Sequence, residues 1–312
     1  MEPIINIVLP VFAIVGAGYI CGARGILGED SSVALNRFVY WVALPAMLFR
    51  AMAMVDLQRV YNPDFVFGFL GAVVLIGAVT LLVARFFFRR SLAEAAIHSM
   101  NGVYGNSGYM GIPLAITAYG EAAALPAIVA TVINTALVVG VAIILIEFGT
   151  QRGSNPARVV GNVAVAMGRN PMLVAPFLGL CWAAVGFDLP VPVASFTGIL
   201  GAAAGPCALF AIGLFMVGKP RSEGRAEVGV MTLTKLLVQP LVTAVMVLML
   251  FPVDELWAKV AILMAALPTG AGSFVLAQAY GVYVLRTSSV ILAGTVFSVA
   301  TISVFFIFFP PG

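Results

Sequence analysis

The chain has 312 residues, of which 62% are hydrophobic and only 9% are charged. Soluble domains carry about 25% charged residues, so this composition excludes a soluble globular protein and indicates that lipid surrounds most of the chain. The net charge of +3 is too small and too dispersed to indicate a nucleic-acid partner.

Ten apolar segments follow one another along the chain and predict an all-α membrane protein with ten transmembrane helices. A run of about 20 apolar residues is enough to cross the hydrocarbon layer. The segments, numbered 1 to 10, are 4–22, 33–54, 64–86, 92–119, 122–147, 171–187, 194–217, 228–251, 256–281 and 287–309. Segment 1 has no basic residue before it, which favours a retained membrane helix over a cleaved signal peptide.

The distribution of Lys and Arg predicts the orientation in the membrane. If the N-terminus lies outside, most loop Lys and Arg residues lie on the inner side, and the outer loops hold only Arg50, Arg59 and Lys259. Because inner loops are enriched in basic residues, we expect both termini outside and the connector 149–170 in the cytoplasm. The predicted location is a bacterial inner membrane.

The two halves of the chain repeat short motifs at one spacing. PAMLF at 45–49 matches PCALF at 206–210, and AYG at 118–120 matches AYG at 279–281, both at an offset of 161 residues. This predicts internal duplication, with five helices in each half. An odd number of helices makes the second half enter the membrane in the opposite sense, as in many secondary transporters. The predicted parts are repeat 1–148, connector 149–170 and inverted repeat 171–312.

Segments 4 and 9 contain helix breaks at equivalent positions of the two repeats. GNSGYMGIP at 105–113 aligns with ALPTGAGSF at 266–274. Proline and glycine interrupt helices, and backbone groups freed in hydrocarbon must face protein, water or a ligand. A single kink is often absorbed by packing, but paired breaks favour a site where half-helix N-termini attract an anion.

We expect the substrate to contact side chains and backbone of both breaks. The predicted residues are Asn106, Ser107, Gly108, Tyr109, Gly111, Pro113, Pro268, Thr269, Gly270 and Ser273. Candidates for a supporting role are Asn36, Lys235, Asn134 and Gln278. For Lys235, snorkelling to the cytoplasmic surface is one interpretation, and pairing with an anionic substrate is the other.

Four stretches together resemble the auxin efflux carrier family, which includes bacterial members and the plant PIN transporters. They are LNRFVYWVALPAMLF at 35–49, GNSGYMGIPL at 105–114, RNPMLVAPFLGL at 169–180 and LPTGAG with LAQAYG within 267–281. The resemblance implies a ten-helix inverted-repeat carrier with crossed helices 4 and 9. It implies a scaffold domain of helices 1, 2, 6 and 7 that mediates dimerisation, and a transport domain of helices 3–5 and 8–10. It also implies export or exchange of organic anions.

The sequence therefore predicts a secondary transporter that moves a small organic anion, a carboxylate, by alternating access. The alternatives are a sodium- or proton-coupled symporter or antiporter of related fold, and a passive channel. No catalytic set, metal site or cofactor motif is present in the sequence, so an enzyme is not expected. The expected partners are the organic acid, the lipid bilayer and a second copy of the chain.

Overall fold

The computed structural model describes residues 9–55, 62–150, 161, 164–165, 168–218 and 224–311. Within these ranges all regular secondary structure is helical, and six helices are long and apolar enough to cross a membrane. The prediction of an all-helical membrane protein is thus confirmed. The count of ten transmembrane helices stays a prediction, and most of the connector 149–170 lies outside the described residues.

The helices are labelled here in chain order. They are α1 (Leu9–Ala23), α2 (Asp30–Ala53), α3 (Pro63–Phe87), α4 (Leu92–Val103), α5 (Ile112–Tyr119), α6 (Glu121–Gly149), α7 (Pro171–Val185), α8 (Val191–Phe215), α9 (Arg225–Leu250), α10 (Glu255–Ala266), α11 (Ala271–Tyr280) and α12 (Val284–Phe308). Predicted segment 4 consists of α4 and α5, and predicted segment 9 consists of α10 and α11.

The two interrupted segments begin and end in similar ways. Ser91 and Glu94 form a capping box at the start of α4, and the Asp254 side chain accepts a backbone hydrogen bond at the start of α10. These caps satisfy N–H groups that have no partner inside the helix. Gly120 ends α5 with φ of +79° and Gly281 ends α11 with φ of +65°, a backbone geometry that favours glycine.

Close helix packing joins α1 to α8 and α7 to α2. A Cβ atom on Gly18 would overlap the carbonyl oxygen of Phe210, and one on Gly179 would lie 2.5 Å from the carbonyl oxygen of Phe49. Small residues therefore let these backbones meet directly, as is common in membrane helix pairs. In the remaining helices, α4 packs against α3 and α6, and α9 packs against α10. Two packing groups result, α1 with α2, α7 and α8, and α3 to α6 with α9 to α12.

Among the described residues, three π-helical turns end before a proline that lies inside an apolar segment, and a fourth, Met246–Leu250, ends before Pro252 at the end of one. The turns Val39–Ala43, Ser107–Gly111 and Thr234–Val238 each end two residues before Pro45, Pro113 and Pro240 respectively. A proline cannot donate to the carbonyl four residues earlier, and its ring displaces that carbonyl, so the preceding turn widens. Two of these wide turns, Ser107–Gly111 and Thr234–Val238, contain residues that the sequence marks as functional candidates.

Replacing Gly18 by Ala tests the close contact between α1 and α8. We expect the Gly18→Ala variant to lose about 1–3 kcal/mol of stability, because the new methyl group would overlap the Phe210 carbonyl. The thermal midpoint of the purified protein in detergent measures this loss. Gly16→Ala is the matched control in the same helix, since a Cβ atom there meets nothing within 4 Å. Equal midpoints for the two variants would contradict the contact.

Candidate functional site

The two helix breaks contact each other through their backbones. The N–H of Asn106 donates to the carbonyl of Pro268 at 2.8 Å, and the N–H of Gly270 donates to the carbonyl of Tyr104 at 2.9 Å. These bonds form an isolated antiparallel bridge that is centred on Gly105 and Thr269. Each break therefore satisfies backbone groups of the other, where lipid could not do so.

Two side chains of α9 bind the carbonyl ends of the two half-helices that precede the breaks. Lys235 Nζ donates to the carbonyl of Ala265 in α10 at 2.5 Å. One turn further along α9, Gln239 Nε2 donates to the carbonyl of Val103 in α4 at 3.1 Å. These contacts satisfy carbonyls that the interrupted helices leave without amide partners.

The polar residues predicted for the site are buried at the breaks. Asn106 is 7% exposed, Ser107 2%, Thr269 1% and Ser273 0%. Thr269 Oγ1 donates to the carbonyl of Asn101 in α4 at 2.7 Å, so this hydroxyl links the second break to the first interrupted segment. Among the described residues no group is a hydrogen-bond partner of Ser273 Oγ, in the first turn of α11. An unpartnered buried hydroxyl at a helix N-terminus is suited to contacting an anion.

The glycines and prolines of the breaks set close contacts with several helices. A Cβ atom on Gly108 would overlap Met172 of α7, and one on Gly111 would lie 2.5 Å from Leu267. Pro113 packs beside Gly205 of α8, and Pro268 packs beside Gly294 of α12. A Cβ atom on Gly270 would lie 2.8 Å from the Gly105 carbonyl oxygen and 2.9 Å from the Tyr104 ring. The first break thus faces α7 and α8, across the boundary between the two packing groups.

The four supporting candidates lie in different environments. Asn36 is half-buried, and its carbonyl accepts a long bond of 3.5 Å from the Tyr109 hydroxyl. Asn134 is fully buried, and neither polar atom of its side chain has a hydrogen-bond partner in the described part of the chain. Gln278 is exposed on α11, and in the described part of the chain its side chain makes no hydrogen bond to either break. Lys235 is 1% exposed, so the snorkelling interpretation was wrong.

Comparison with known proteins identifies a family of membrane transport proteins. The family described as "Membrane transport protein" matches residues 3–306. A protein of Rhizobium meliloti (strain 1021), named "Putative malonate transporter", is 31% identical over 303 residues, which cover 97% of this chain and 95% of that protein. This chain belongs to the auxin efflux carrier family.

Two further proteins are similar to this auxin efflux carrier family member. "Uncharacterized transporter YfdV" of Escherichia coli (strain K12) is 25% identical over 92% of this chain and 91% of that protein. "Probable auxin efflux carrier component 1b" of Oryza sativa subsp. japonica is 30% identical over 45% of this chain and 26% of that protein. The resemblance inferred from the sequence is confirmed, and the protein is a multi-pass membrane transport protein.

A buried ion cluster in this auxin efflux carrier family member was not predicted from the sequence. Glu227 of α9 is 2% exposed and accepts two hydrogen bonds from the Arg90 guanidinium, at 3.0 and 2.8 Å. Arg286 Nε lies 3.0 Å from the same carboxylate, and His98 Nδ1 lies 3.6 Å from it. His98 also contacts the Tyr283 hydroxyl at 3.2 Å. The cluster joins the α3–α4 loop, α4, α9 and α12, all of which belong to the second packing group.

Charge and burial fix the protonation of the loop residues in this cluster. The hydrogen bond with Glu227 raises the pKa of Arg90 above its ordinary value, so the guanidinium stays charged. Burial, followed by the neighbouring Glu227 carboxylate, raises the pKa of the Tyr283 hydroxyl. Both arginines are about one quarter exposed, whereas the carboxylate between them is buried. The cluster therefore acts as a structural clamp that joins the α3–α4 loop to α9 and α12.

Replacing Glu227 by Gln tests the clamp. We expect a loss of about 1–3 kcal/mol of stability, because two guanidinium groups lose their shared carboxylate while partial exposure limits the penalty. The midpoint of thermal unfolding in detergent reports this loss. Glu255→Gln is the matched control, since Glu255 pairs with Lys259 at the surface and is 81% exposed. A midpoint for Glu227→Gln as high as that of the control would argue against the clamp.

Proposed function

We propose that this protein is a secondary transporter that moves a small organic anion, a carboxylate, across the membrane by alternating access. The observation that carries the proposal is the direct pairing of two helix breaks deep in an apolar protein. Beyond the breaks, the π-helical turn at Ser107 and the start of α11 present helix N-termini with partial positive charge. Asn106 and Ser273 add polar side chains at the same two ends.

The fold that we propose has ten transmembrane helices in two inverted five-helix repeats, with segments 4 and 9 crossing at their breaks. The antiparallel bridge between Gly105 and Thr269 supports opposite entry of the two repeats into the membrane. The positive φ angles of Gly120 and Gly281 support equivalent ends for α5 and α11. We further propose that the protein lies in a bacterial inner membrane with both termini outside.

The two packing groups suggest how the carrier moves. We assign α1, α2, α7 and α8 to a scaffold that also forms a homodimer, and α3 to α6 with α9 to α12 to a transport domain. The first break contacts the scaffold through Gly108 beside Met172 and Pro113 beside Gly205. A substrate at the break therefore needs these contacts to open on one side of the membrane at a time. The Arg90–Glu227 pair supports movement of the transport domain as one unit.

The proposed substrate class is a short dicarboxylate, with malonate as the first compound to test. The relative from Rhizobium meliloti whose name refers to malonate aligns over nearly the whole chain. A small dianion is compatible with a site built from two helix N-termini, because each end can face one carboxylate. A carrier of this kind binds and releases its substrate in separate steps, whereas a passive channel does not.

Uptake into proteoliposomes tests the proposed function. We expect labelled malonate to enter with saturable kinetics, and unlabelled malonate inside the vesicles to stimulate that uptake at least severalfold. Trans-stimulation arises because a carrier returns faster when loaded, so it separates a carrier from a channel. Protein-free vesicles are the control. Uptake that rises linearly with concentration would contradict alternating access, and no uptake of any C2–C5 dicarboxylate would contradict the substrate class.

Changes at the breaks test the proposed position of the substrate. Asn106→Ala and Gly270→Leu should each reduce malonate binding at least tenfold, the first by removing a polar side chain and the second by filling the contact with Tyr104. Isothermal titration of purified protein measures the affinity. Gly16→Leu is the control for side-chain size, because the space around Gly16 is open. Normal affinity in both break variants would remove the substrate from this position.

A further inference from the structure

Two side chains of α9 reach both interrupted segments from one helical face. Lys235 and Gln239 are four residues apart and therefore point in the same direction from the helix. Lys235 Nζ binds the carbonyl of Ala265, near the end of α10, and Gln239 Nε2 binds the carbonyl of Val103, at the end of α4. The same α9 face thus meets the carbonyl ends of both half-helices.

These carbonyl ends carry partial negative charge. Each helix C-terminus is equivalent to about half an elementary negative charge, so the two ends together favour about one bound positive charge. In carriers with interrupted helices, such half-helix ends and unwound carbonyls coordinate the coupling sodium ion or proton. Here the Lys235 ammonium group lies 2.5 Å from one of these carbonyl oxygens and is 1% exposed.

The surroundings of Lys235 indicate that helix ends, not a carboxylate, balance its charge. Within the described residues no Asp or Glu lies at ion-pair distance from Lys235 Nζ. The ammonium group lies next to the first break, since a Cβ atom on Gly105 would be 3.5 Å from Nζ. Gln239 Oε1 is buried and has no hydrogen-bond partner in the described part of the chain. A cation in place of the ammonium group would find the Ala265 carbonyl oxygen, and Gln239, which carries this amide oxygen, lies about one helical turn further along α9.

We propose that Lys235 is a tethered cation whose ammonium group fills the position that a coupling sodium ion would take at the crossed breaks. The covalent side chain supplies the positive charge in every conformation of the transport domain. The wild-type protein therefore needs no bound sodium to hold the two carbonyl ends together. Shortening Lys235 leaves a site for a small monovalent cation. The part of this proposal that concerns coupling rests on the proposed transport function, whereas the cation site does not.

Thermal stability in different salts tests the tethered cation without any substrate. The samples are wild type, Lys235→Ala, Lys235→Met and Lys259→Ala, each in sodium, methylammonium or choline chloride at equal ionic strength. We expect the midpoint of Lys235→Ala to be at least about 5 °C higher in sodium or methylammonium than in choline, because a small cation binds the vacated position and choline is too large. The rise should saturate with cation concentration.

The other samples control for volume and for nonspecific salt effects. Lys235→Met fills the position with an apolar chain, so its midpoint should be low in all three salts. Lys259→Ala removes a lysine that pairs with Glu255 at the surface, and its midpoint should not depend on the cation. Wild type should likewise have the same midpoint in all three salts.

Three results would overturn the proposal. One is a Lys235→Ala midpoint that does not depend on the cation, and another is a Lys235→Met protein as stable as wild type. The third needs no variant to fold. It is a wild-type midpoint that falls by several degrees, or wild-type malonate uptake that falls more than twofold, when choline replaces sodium. Failure of wild-type malonate uptake in every salt would instead count against the proposed substrate, since the stability measurements do not involve malonate.

Discussion

The pairing of two interrupted backbones inside an apolar protein is the constraint on which the rest of this structure depends. A peptide N–H or carbonyl without a partner in hydrocarbon costs several kcal/mol, so a break in one membrane helix is unstable by itself. Here Asn106 and Gly270 each donate to the opposite break. Two interruptions that would be unfavourable separately become compatible with the membrane together, and the ends of four short helices meet at one position.

The surrounding helices make polar contacts both at this junction and away from it. At the breaks, the long side chains of α9 satisfy the carbonyl ends, and Thr269 binds the Asn101 carbonyl across the two segments. Away from the breaks, the carboxylate of Glu227 joins Arg90 and Arg286 from loops and helices of the same packing group. The α1–α8 and α2–α7 contacts are different in character, because they depend on small residues and direct backbone approach. The polar junction and the closely packed pairs thus lie in separate groups of helices.

Much of this arrangement could be predicted from the sequence because it depends on local chemistry and on an internal comparison. Proline and glycine reveal the breaks at 105–113 and 266–274, and the repeated motifs indicate that the two breaks are equivalent. The contacts made by Lys235 could not be predicted, since hydropathy places the residue in a helix but does not show which way it points. The Arg90–Glu227 pair joins residues 137 apart in sequence, and no pattern in either half indicates it. The π-helical turn at Ser107 has a local cause in Pro113, the proline that also predicts the break.

The bonds between the breaks also have a consequence for how the protein is made. Thr269 and its acceptor Asn101 are separated by 168 residues, so the first half of the chain is synthesised long before its partners exist. During that interval α4 ends within an apolar segment, and neither Gln239 nor Pro268 is yet available to satisfy its backbone. Because such groups are not stable in contact with lipid, the nascent first half of the chain has to remain next to water or to the insertion machinery until the second half is synthesised. Biogenesis of this protein is therefore a single long event, because each half depends on backbone partners from the other.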